Sequence, residues 1–371
     1  MFIFHNWIYR NGGKSKQKSM RKVIKMNLIL SFDYWREKYM FNSKTTINIA
    51  LLGFGTVGQG IVDILQKEKE HLENKCGKKL AIAGIAVRNL EKKRDINLPK
   101  SLFTTDSEQL ATREDVDVVF ELMGGIDQAR TCVLQALRAG KPVVTANKAL
   151  LAEYAEEIFS CAREYKLPVG YEASVAAAVP VIRFLRDGLA SSQISEIEGI
   201  LNGTTNFILS QMQEKGQNYE EAFNLAESLG YLEADPSLDV DGWDAAHKLV
   251  ILASIAFKKY VKLADVEREG IARVTADEIE AAKSAGKVIK LVASARKKSG
   301  KIQLQVRPQA LSDTHVLARV GGGLSGVRVQ ADRVGDFFAQ GPGAGALPTA
   351  SAVLSDLIAM LRHAEMSGFG F

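Results

Sequence analysis

The sequence predicts an α/β protein in which a doubly wound, mostly parallel sheet is joined to a second domain of α+β type. Two observations lead to this fold class. Short aliphatic strands alternate with amphipathic helices up to about residue 173, and helices with antiparallel strand patterns follow from about residue 174. Alternating strands and helices are typical of parallel sheets covered by helices. The length of 371 residues suits two domains, since a domain commonly has roughly 150 residues.

The parallel sheet is predicted to begin near residue 45. Residues 47–52 form a β-branched and aliphatic run that ends in glycine, which indicates a buried strand, and residues 57–73 follow with helical periodicity. Gly140, a common helix stop, closes an amphipathic helix at residues 127–139. The other elements predicted here are strands at residues 80–87, 116–122, 142–145 and 169–171, and a helix at residues 152–165.

The second domain has a different rhythm. Its predicted elements are strands at residues 193–201, 289–296, 302–308 and 315–320, helices at residues 207–214, 219–229 and 243–257, and a glycine-rich loop from residue 341 followed by an apolar helix at residues 350–361. We therefore expect an extension at residues 1–44, which we interpret as disordered, and a first domain at residues 45–173 that is completed by residues 341–371. The second domain is expected at residues 174–340.

The composition excludes several classes of protein. Hydrophobic residues make up 46% and charged residues 25% of the chain, as in ordinary globular proteins. No apolar run reaches the roughly 18–20 residues of a membrane span. Three widely spaced cysteines suit a reducing cytoplasm and form no zinc-ligand cluster. Residues 1–44 carry ten basic and two acidic side chains; the rest has 38 basic and 41 acidic ones, a balance of −3 that offers no nucleic-acid surface.

The basic segment at residues 1–44 is open to several interpretations. A disordered extension, or sequence upstream of the true start, is the plainest one, since Met26 and Met40 could both be starts. A signal or transit peptide and a membrane-surface tether are the alternatives. The segment lacks an apolar stretch followed by a small-residue cleavage site, which argues against secretion. Lysine rather than arginine dominates it, which argues against a transit peptide.

A glycine motif marks the first strand-to-helix turn. The letters GFGTVG at residues 53–58 match GxGxxG between a predicted strand and a predicted helix, the context in which this motif binds a dinucleotide in a Rossmann-type fold. Gly53 permits the tight turn, Gly55 leaves room for the pyrophosphate, and Gly58 lets helix and strand pack closely. Backbone N–H groups and the helix dipole would face the phosphates. The predicted cofactor residues here are Gly53, Phe54, Gly55, Thr56, Val57 and Gly58; a glycine turn without a ligand is the alternative.

The end of the second strand bears on the choice of cofactor. An acidic residue there would bind the ribose 2′-hydroxyl of NAD, but this chain has Val87-Arg88-Asn89, followed by further basic residues. Because a guanidinium can hold a 2′-phosphate by paired hydrogen bonds, Arg88 favours NADP over NAD. The alternative is that Arg88 faces solvent at the strand end.

Two lysines are candidates for the chemistry. A nicotinamide dinucleotide transfers a hydride, and transfer to a carbonyl group puts negative charge on oxygen, which requires a cation or proton donor beside it. Lys148 follows a predicted strand at its carboxyl end, where ligands lie in open α/β sheets. Lys248 lies four residues after Asp244 on a predicted helix, so the two side chains are neighbours. A surface salt bridge is the alternative interpretation of that pair.

An acidic loop precedes the second lysine. Residues 230–241, GYLEADPSLDVD, include four acids within nine residues and lead into an apolar helix. Such a loop suits the ammonium group of a substrate, and a solvated acidic turn is the alternative.

At this point the sequence strongly resembles the homoserine dehydrogenases. The resemblance is carried in family order across about residues 45–360, which makes chance agreement negligible. Its motifs are GFGTVG at 53–58, ELMGG at 121–125, TANKALL at 145–151, YEASV at 171–175, LNGTTNFI at 201–208, GYLEADPSLDVDGWDAAHKLVILA at 230–253 and GAGALPTASAV at 343–353.

The resemblance implies a reaction, and roles for individual residues. The reaction interconverts L-homoserine and L-aspartate 4-semialdehyde with NADP or NAD, in the biosynthesis of threonine, methionine and isoleucine. Lys248 matches the catalytic lysine, Asp244 the carboxylate that orients it, and Lys148 the lysine between cofactor and substrate. Glu233 matches the residue that binds the substrate amino group, and further matched substrate contacts are Gly203, Thr204, Tyr231 and Asp239.

The resemblance also implies a cation and a partner. Glu172, Val175, Ala177 and Val179 match a loop that binds a monovalent cation, expected to be Na⁺, mainly through backbone carbonyls, and oxygen ligands suit such a hard cation. Gly345 matches a glycine near the nicotinamide, and Gly124 is assigned to the cofactor site. A homodimer in the cytoplasm is expected, without nucleic acid or membrane partners.

Two features depart from the family, and two rivals stay open. Residues 1–44 have no recognised counterpart, and a regulatory domain after the residue 343 motif is not expected. Another oxidoreductase on the same nucleotide fold is the nearest rival, although the segment from Glu233 to Lys248 argues against it. The second rival is a non-catalytic nucleotide sensor. It would need the glycine motif but would not need Lys148, Asp244 and Lys248 together.

Overall fold

The computed structural model describes residue 41 and residues 44–94, 98–232 and 235–362. Most of the predicted extension at residues 1–44, and the last part of the predicted C-terminal completion, therefore lie outside the described residues. From Ile47 onward the described chain packs as one compact unit. It is built around two six-stranded sheets.

The first sheet is parallel throughout. Its strands are β1 Thr46–Leu52, β2 Lys79–Ala86, β3 Phe103–Thr104, β4 Val118–Glu121, β5 Val143–Thr145 and β6 Val169–Gly170. They lie in the order β3-β2-β1-β4-β5-β6, with parallel pairing along the sheet. The order reverses between β1 and β4, which is the point where open α/β sheets bind ligands. The predicted fold class is confirmed.

Helices follow these strands, as the alternation predicts. They are α1 Thr56–Lys67, α2 Lys69–Cys76, α3 Ser107–Thr112, α4 Asp127–Arg138 and α5 Lys148–Tyr165. The single helix predicted at residues 57–73 is wrong in one respect. Glu68 has φ −117° and ψ 22°, outside the helical region, so the chain forms two helices there. α5 begins at Lys148, four residues earlier than predicted, because the side chain of Asn147 caps it by accepting from the Leu150 N–H at 3.0 Å.

The second sheet is mixed. Its strands are β7 Ile194–Ile200, β8 Val266–Arg268, β9 Lys287–Lys298, β10 Lys301–Ser312, β11 Leu324–Ala331 and β12 Gly335–Pro342, in the order β12-β11-β7-β9-β10-β8. Neighbours pair antiparallel except β8, which runs parallel to β10. The helices that accompany it are α6 Val181–Arg183, α7 Gly203–Lys215, α8 Tyr219–Ser228, α9 Ser237–Val240, α10 Trp243–Phe257 and α11 Ala276–Ser284, and the last helix of the described chain is α12 Ala346–Arg362.

Several strands of this half differ from the prediction. The strand predicted at residues 315–320 is wrong, because Val316–Arg319 forms a 3₁₀ helix whose first turn is capped by His315 Nδ1, an acceptor for the Leu317 N–H at 3.3 Å. The hairpin of β11 and β12 was not predicted, and its second strand enters the segment interpreted as a glycine-rich loop. Three glycines in the two strands weaken the alternating pattern on which the prediction relied.

The last helix returns to the first sheet. α12 packs along α1, where a Cβ atom added at Gly60 would lie 2.8 Å from the carbonyl oxygen of Ala346. Glycine at this position therefore lets the two helices approach closely. Arg362 Nε at the other end of α12 donates to the carbonyl of Lys75 at 2.7 Å.

Candidate active site

The glycine motif forms the turn between β1 and α1. Gly53 has φ +105°, and a Cβ atom there would lie 2.5 Å from the carbonyl oxygen of Leu122, just past β4. A Cβ atom at Gly58 would lie 2.7 Å from the Gly53 carbonyl. At Gly55 a Cβ atom would meet no described atom within 4 Å, so this glycine borders open space. The first and third glycines are therefore required for packing, whereas the second leaves room for a ligand.

The start of α1 has the character of an anion site. Gly55 is its N-cap and supplies no side-chain hydrogen bond, and Thr56 is exposed. Val57 is half-buried, and the buried Phe54 packs edge-on against Phe103 with ring centroids 5.6 Å apart. The N–H groups of a first helical turn have no partner within their helix, so they and the helix dipole favour an anion such as a pyrophosphate.

Arg88 lies beside this turn. It follows β2, is exposed, and its Nη2 donates to the carbonyl oxygen of Gly124 at 3.0 Å. Gly124 follows β4, so the guanidinium and the glycine approach each other across the end of β1. A single donor is used in this contact, and a guanidinium has five. Arg88 therefore keeps donors for a phosphate on the open side.

A buried carboxylate organises the neighbouring strand ends. Glu121, at the end of β4, accepts from Thr145 Oγ1 at 2.5 Å and from the Met123 N–H at 2.8 Å. Thr145 Oγ1 in turn accepts from the N–H of Asn147 at 3.0 Å, and Asn147 caps α5. Burial raises the pKa of Glu121 to about 7. This chain of hydrogen bonds fixes the place where α5 begins, and with it Lys148.

Lys148 and Lys248 share one carboxylate. Lys148 Nζ lies 2.8 Å from Oδ1 of Asp244, and Lys248 Nζ lies 2.6 Å from Oδ2. The side chains of Asp244 and Lys248 are 3% and 9% exposed, and that of Lys148 is 27% exposed. The pair of Asp244 and Lys248 is therefore not a surface salt bridge. It is buried, and Lys148 approaches it from the more open side.

The surroundings keep Asp244 ionised. Burial alone would raise its pKa, but the charges and hydrogen bonds of Lys248 and Lys148 outweigh burial and hold the pKa well below its usual range. Asn202 Nδ2 also donates to Oδ2 of Asp244 at 2.9 Å. Lys248 Nζ donates to the carbonyl oxygen of Leu201 at 2.7 Å. The ammonium of Lys248 is thereby fixed by one anionic and one neutral acceptor.

Several predicted substrate residues lie around Asn202. Asn202 Nδ2 donates to Oδ1 of the buried Asp239 at 2.7 Å, and its Oδ1 caps α7 by accepting from the Thr205 N–H at 2.7 Å. Thr204 Oγ1 donates to the carbonyl of Tyr231 at 2.8 Å, and Tyr231 stacks on Phe207 at a centroid distance of 4.6 Å. Gly203 begins α7. Glu233, the predicted partner of the substrate amino group, lies outside the described residues.

The predicted cation loop is compact and buried. Glu172 accepts from the N–H groups of Ile182 and Arg183 at 2.8 and 2.9 Å. Burial and the nearby Asp356 raise the pKa of Glu172 to about 7. Among the described residues no backbone N–H donates to the carbonyl oxygens of the buried Val175 and Ala177. The Val179 carbonyl accepts from the Val181 N–H at 2.7 Å. Over the described ranges, no three His, Cys, Asp or Glu side chains form a cluster suited to a metal ion.

The structure thus brings some predicted residues together and leaves others apart. Lys148, Asp244, Lys248 and Asp239 form one connected group, which Thr204 and Tyr231 border. Gly345 has φ +115° and immediately precedes α12, beside the close approach of α12 to α1. Asn202 and the Leu201 carbonyl were not predicted, although the sequence contains the signal for Asn202: an asparagine directly before a helix is a typical N-cap.

Models of known families match most of the chain. Residues 53–172 match the model described as homoserine dehydrogenase, NAD binding domain, and residues 180–358 match the model described as homoserine dehydrogenase. The chain is 42% identical over 324 residues to the homoserine dehydrogenase of Bacillus subtilis, covering 87% of this chain and 75% of that protein. It is 46% identical over 317 residues to that of Synechocystis, covering 84% and 73%.

Solved structures agree with these matches. A homoserine dehydrogenase from Thiobacillus denitrificans superposes with a TM-score of 0.82 at 40% identity, covering 87% of this chain and 74% of that one. A hyperthermophilic archaeal homoserine dehydrogenase, solved in complex with NADPH, superposes with a TM-score of 0.71 at 29% identity, covering 85% and 97%. Across the part of the chain that the structure describes, no helix combines the length and apolarity needed to cross a membrane.

Proposed function

The chain belongs to the homoserine dehydrogenase family, and we propose that Lys248 is the general acid and base of its reaction. The enzyme interconverts L-homoserine and L-aspartate 4-semialdehyde with a nicotinamide dinucleotide. In the reducing direction a hydride reaches the aldehyde carbon, and the electron pair of the C=O bond moves to oxygen. Lys248 donates a proton to that oxygen, which yields the alcohol, and takes the proton back in the reverse direction.

The environment of the Lys248 ammonium carries this proposal. An ammonium has three N–H bonds, and the acceptors found among the described residues, Asp244 and the Leu201 carbonyl, use two of them. The third remains for a substrate oxygen. Burial strengthens the interaction of such a donor with a developing oxyanion, because little water competes for it.

The remaining residues divide the work of binding. Lys148 is more exposed than Lys248 and stabilises negative charge between cofactor and substrate. Gly203, Thr204, Tyr231 and Asp239 line the substrate, and Glu233 holds its ammonium group. Asp244 orients both lysines, since each of its two oxygens contacts one of their Nζ atoms.

The cofactor is bound at the turn between β1 and α1. We assign the pyrophosphate to Gly53, Phe54, Gly55, Thr56, Val57 and Gly58, with Gly124 and Gly345 bordering the site. The dinucleotide supplies or accepts the hydride when bound. We propose that NADP is preferred over NAD, because Arg88 has donors for a 2′-phosphate and no acid lies at residues 87–90, directly after β2. The archaeal neighbour solved with NADPH supports this choice.

We also propose a monovalent cation, Na⁺ in the first instance, at residues 172–179. The donor set fits, because the carbonyl oxygens of Val175 and Ala177 have no backbone donor among the described residues and belong to buried residues. The carbonyl of Val179 and the side chain of Glu172 complete an all-oxygen set, which suits a hard cation. Raising NaCl against choline chloride at constant ionic strength should increase the Tm, by mass action. An equal Tm in both salts would remove the cation from this loop.

Domain roles and assembly complete the proposal. Residues 45–173 with 341–371 bind the dinucleotide, and residues 174–340 bind the substrate and form the contact of a homodimer. The mixed sheet offers extended strands for such a contact. Light scattering of the purified chain measures its mass, and a monomer at all concentrations would contradict the dimer.

One assay tests the central claim. Purified protein receives homoserine with NADP and then with NAD, and the absorbance of the reduced cofactor is followed. Lys248→Met should lower kcat by roughly 10²- to 10⁴-fold while dinucleotide binding stays intact, because the glycine turn is untouched. The exposed Lys258, just after α10, gives the matched control Lys258→Met, which should keep full activity. Loss of cofactor binding in Lys248→Met, or retained kcat, would refute the assigned role.

A further inference from the structure

A turn of three consecutive glycines touches the predicted substrate residues. We call Gly321, Gly322 and Gly323, between the 3₁₀ helix and β11, the triglycine turn. A Cβ atom added at Gly203 would lie 2.6 Å from the carbonyl oxygen of Gly323, and one added at Gly323 would lie 2.7 Å from the Tyr231 ring. The turn therefore packs directly on the start of α7 and on the ring of Tyr231.

Two buried polar side chains fix both ends of this turn. Lys290 Nζ, on β9, and Asn206 Nδ2, on α7, both donate to the Val320 carbonyl, at 2.8 and 3.0 Å. Asn206 Nδ2 also donates to the carbonyl of Leu324 at 3.2 Å, on the far side of the glycines. Lys290 Nζ donates to Asn206 Oδ1 at 2.8 Å, which links the two side chains. Lys290 is 3% exposed and Asn206 is 1% exposed.

Stability alone does not account for Lys290. Its hydrogen-bond partners are a carbonyl, an amide and the hydroxyl of Ser210 at 3.3 Å, all of them neutral. Burial lowers the pKa of Lys290 to about 8, although the charge of Glu214 on α7 acts in the opposite direction. Burying an ammonium without an adjacent anion is costly, and an apolar residue of similar volume is often neutral or stabilising at such a site. The lysine therefore needs an explanation other than packing.

We propose that Lys290 is a positioning residue for the amino-acid substrate: together with Asn206 it holds the triglycine turn against Gly203 and Tyr231. This inference rests on the proposed function, which places Gly203, Thr204 and Tyr231 at the substrate. Glycine is needed at residue 323 because an added Cβ atom would meet the Tyr231 ring, and it is favoured at residue 322 because φ there is +55°. The turn has no side chains with which to anchor itself, so its flanking carbonyls are held from the neighbouring strand and helix.

The role predicts a selective kinetic effect. If the hydrogen bonds from Lys290 are lost, the triglycine turn shifts, and the Tyr231 ring and the start of α7 lose the backbone that packs against them. The glycine turn after β1 is unaffected. The KM for homoserine should rise about tenfold in Lys290→Met, a factor that corresponds to about 1.4 kcal/mol. The KM for the dinucleotide and the kcat at saturating homoserine should stay within about threefold of the original protein.

A second variant tests the same claim without touching the lysine. Gly323→Ala places a methyl group against the Tyr231 ring and should raise the KM for homoserine by a similar factor. An unchanged KM would mean that the turn does not position the substrate residues, and it would overturn the inference even if Lys290→Met fails to fold. Lys287→Met removes an exposed lysine from the same strand and is the matched control, with no change expected in either KM.

The outcomes separate this inference from the proposed function. A purely structural Lys290 would lower the Tm of Lys290→Met and leave the homoserine KM of that variant unchanged, which would overturn the inference whatever the KM of Gly323→Ala. An equal rise in both KM values would also overturn it. Failure of the proposed function shows itself elsewhere, as full kcat in Lys248→Met, whatever the two KM values are.

Discussion

The ammonium group of Lys148 lies 2.8 Å from Oδ1 of Asp244, although the two residues belong to helices in different halves of the fold. Lys148 is the first residue of α5, which follows β5 of the parallel sheet, and Asp244 lies in the first turn of α10, which packs on the mixed sheet. One carboxylate thus connects the half of the fold that holds the parallel sheet with the half that holds the mixed sheet.

Asp244→Asn should disable the enzyme without changing its shape. The amide keeps the size of the side chain but removes the negative charge that two ammonium groups share, so both lysines lose their fixed orientation. We expect kcat to fall roughly 10²- to 10⁴-fold, and the free energy of unfolding to fall by about 3 kcal/mol, because the buried Lys248 is left without its counter-charge. Steady-state kinetics and urea titrations measure both effects.

The control for this variant is Asp277→Asn, which changes an exposed acid in the first turn of α11. This variant should change the free energy of unfolding by no more than about 0.5 kcal/mol and should leave kcat unchanged. A kcat within tenfold of the original protein in Asp244→Asn would mean that its charge does not serve the chemistry.

Arg88→Ala should separate the two cofactors. Losing charge-assisted hydrogen bonds to a 2′-phosphate costs about 1.5–3 kcal/mol, so the KM for NADP should rise roughly 10- to 100-fold. NAD has no phosphate there and its KM should hardly change. Lys79→Ala removes an exposed charge at the opposite end of β2 and should leave both values alone. An equal rise of the KM values for NADP and NAD in Arg88→Ala would contradict the assignment of Arg88 to the 2′-phosphate.

Gly55→Ala should weaken cofactor binding without weakening the fold. Gly55 has φ −82°, which alanine accepts, and its added methyl group meets no described atom within 4 Å. The free energy of unfolding should therefore change by no more than about 0.5 kcal/mol, while the methyl group obstructs the pyrophosphate and raises the dinucleotide KM about tenfold.

Gly58→Ala provides the contrast, since its methyl group would meet the Gly53 carbonyl at 2.7 Å. This variant should lose stability as well, by about 1–3 kcal/mol. If Gly55→Ala bound the dinucleotide normally, the pyrophosphate would have to lie elsewhere.

Glu121→Gln should change how stability depends on pH. The pKa of Glu121 is raised from 4.5 to about 7 in the folded protein, so between those values the folded state holds the proton more tightly than the unfolded state. The stability that this proton provides is complete below about pH 4.5 and is lost as the pH rises through about 7. The variant has no carboxyl group at this position, so its free energy of unfolding does not fall in this way. For the full shift of the pKa, that fall amounts to about 3 kcal/mol.

The measurement compares the free energies of unfolding of both proteins at about pH 5 and about pH 8. Other buried carboxyls titrate equally in the two proteins and cancel in the difference. Glu114→Gln changes an exposed carboxylate and serves as the control. A parallel pH dependence of Glu121→Gln and the original protein would show that Glu121 ionises as freely as a solvent-exposed carboxyl.

Local patterns in the sequence anticipated much of this architecture. The GxGxxG motif between a strand and a helix predicted the turn at Gly53, and the spacing of Asp244 and Lys248 made them neighbours on one helix. Both follow from periodicities that operate within a few residues. The bounds of α10 were likewise predicted at residues 243–257, since an apolar helix of this length has a strong pattern.

The relations that the sequence left open are those between distant segments. No local pattern brings Lys148 to Asp244, or Asn202 to both Asp239 and Asp244, because these contacts depend on how two sheets with their helices meet. Burial of the Asp244 and Lys248 pair was equally open, since the same spacing occurs in exposed salt bridges. The triglycine turn attracted no prediction, because glycines signal a turn but not what the turn packs against.

The pairing of α12 with α1 has a consequence for biosynthesis of the chain. Gly60 meets Ala346, so the helix after the glycine motif is covered by a helix that is synthesised long after it. Until that helix has been made, the Gly60 face of α1 lacks its native partner. Such a distant contact also slows spontaneous folding, because a long loop must close before the contact forms. The nascent enzyme should therefore not retain its dinucleotide before α12 has been synthesised and has packed on α1.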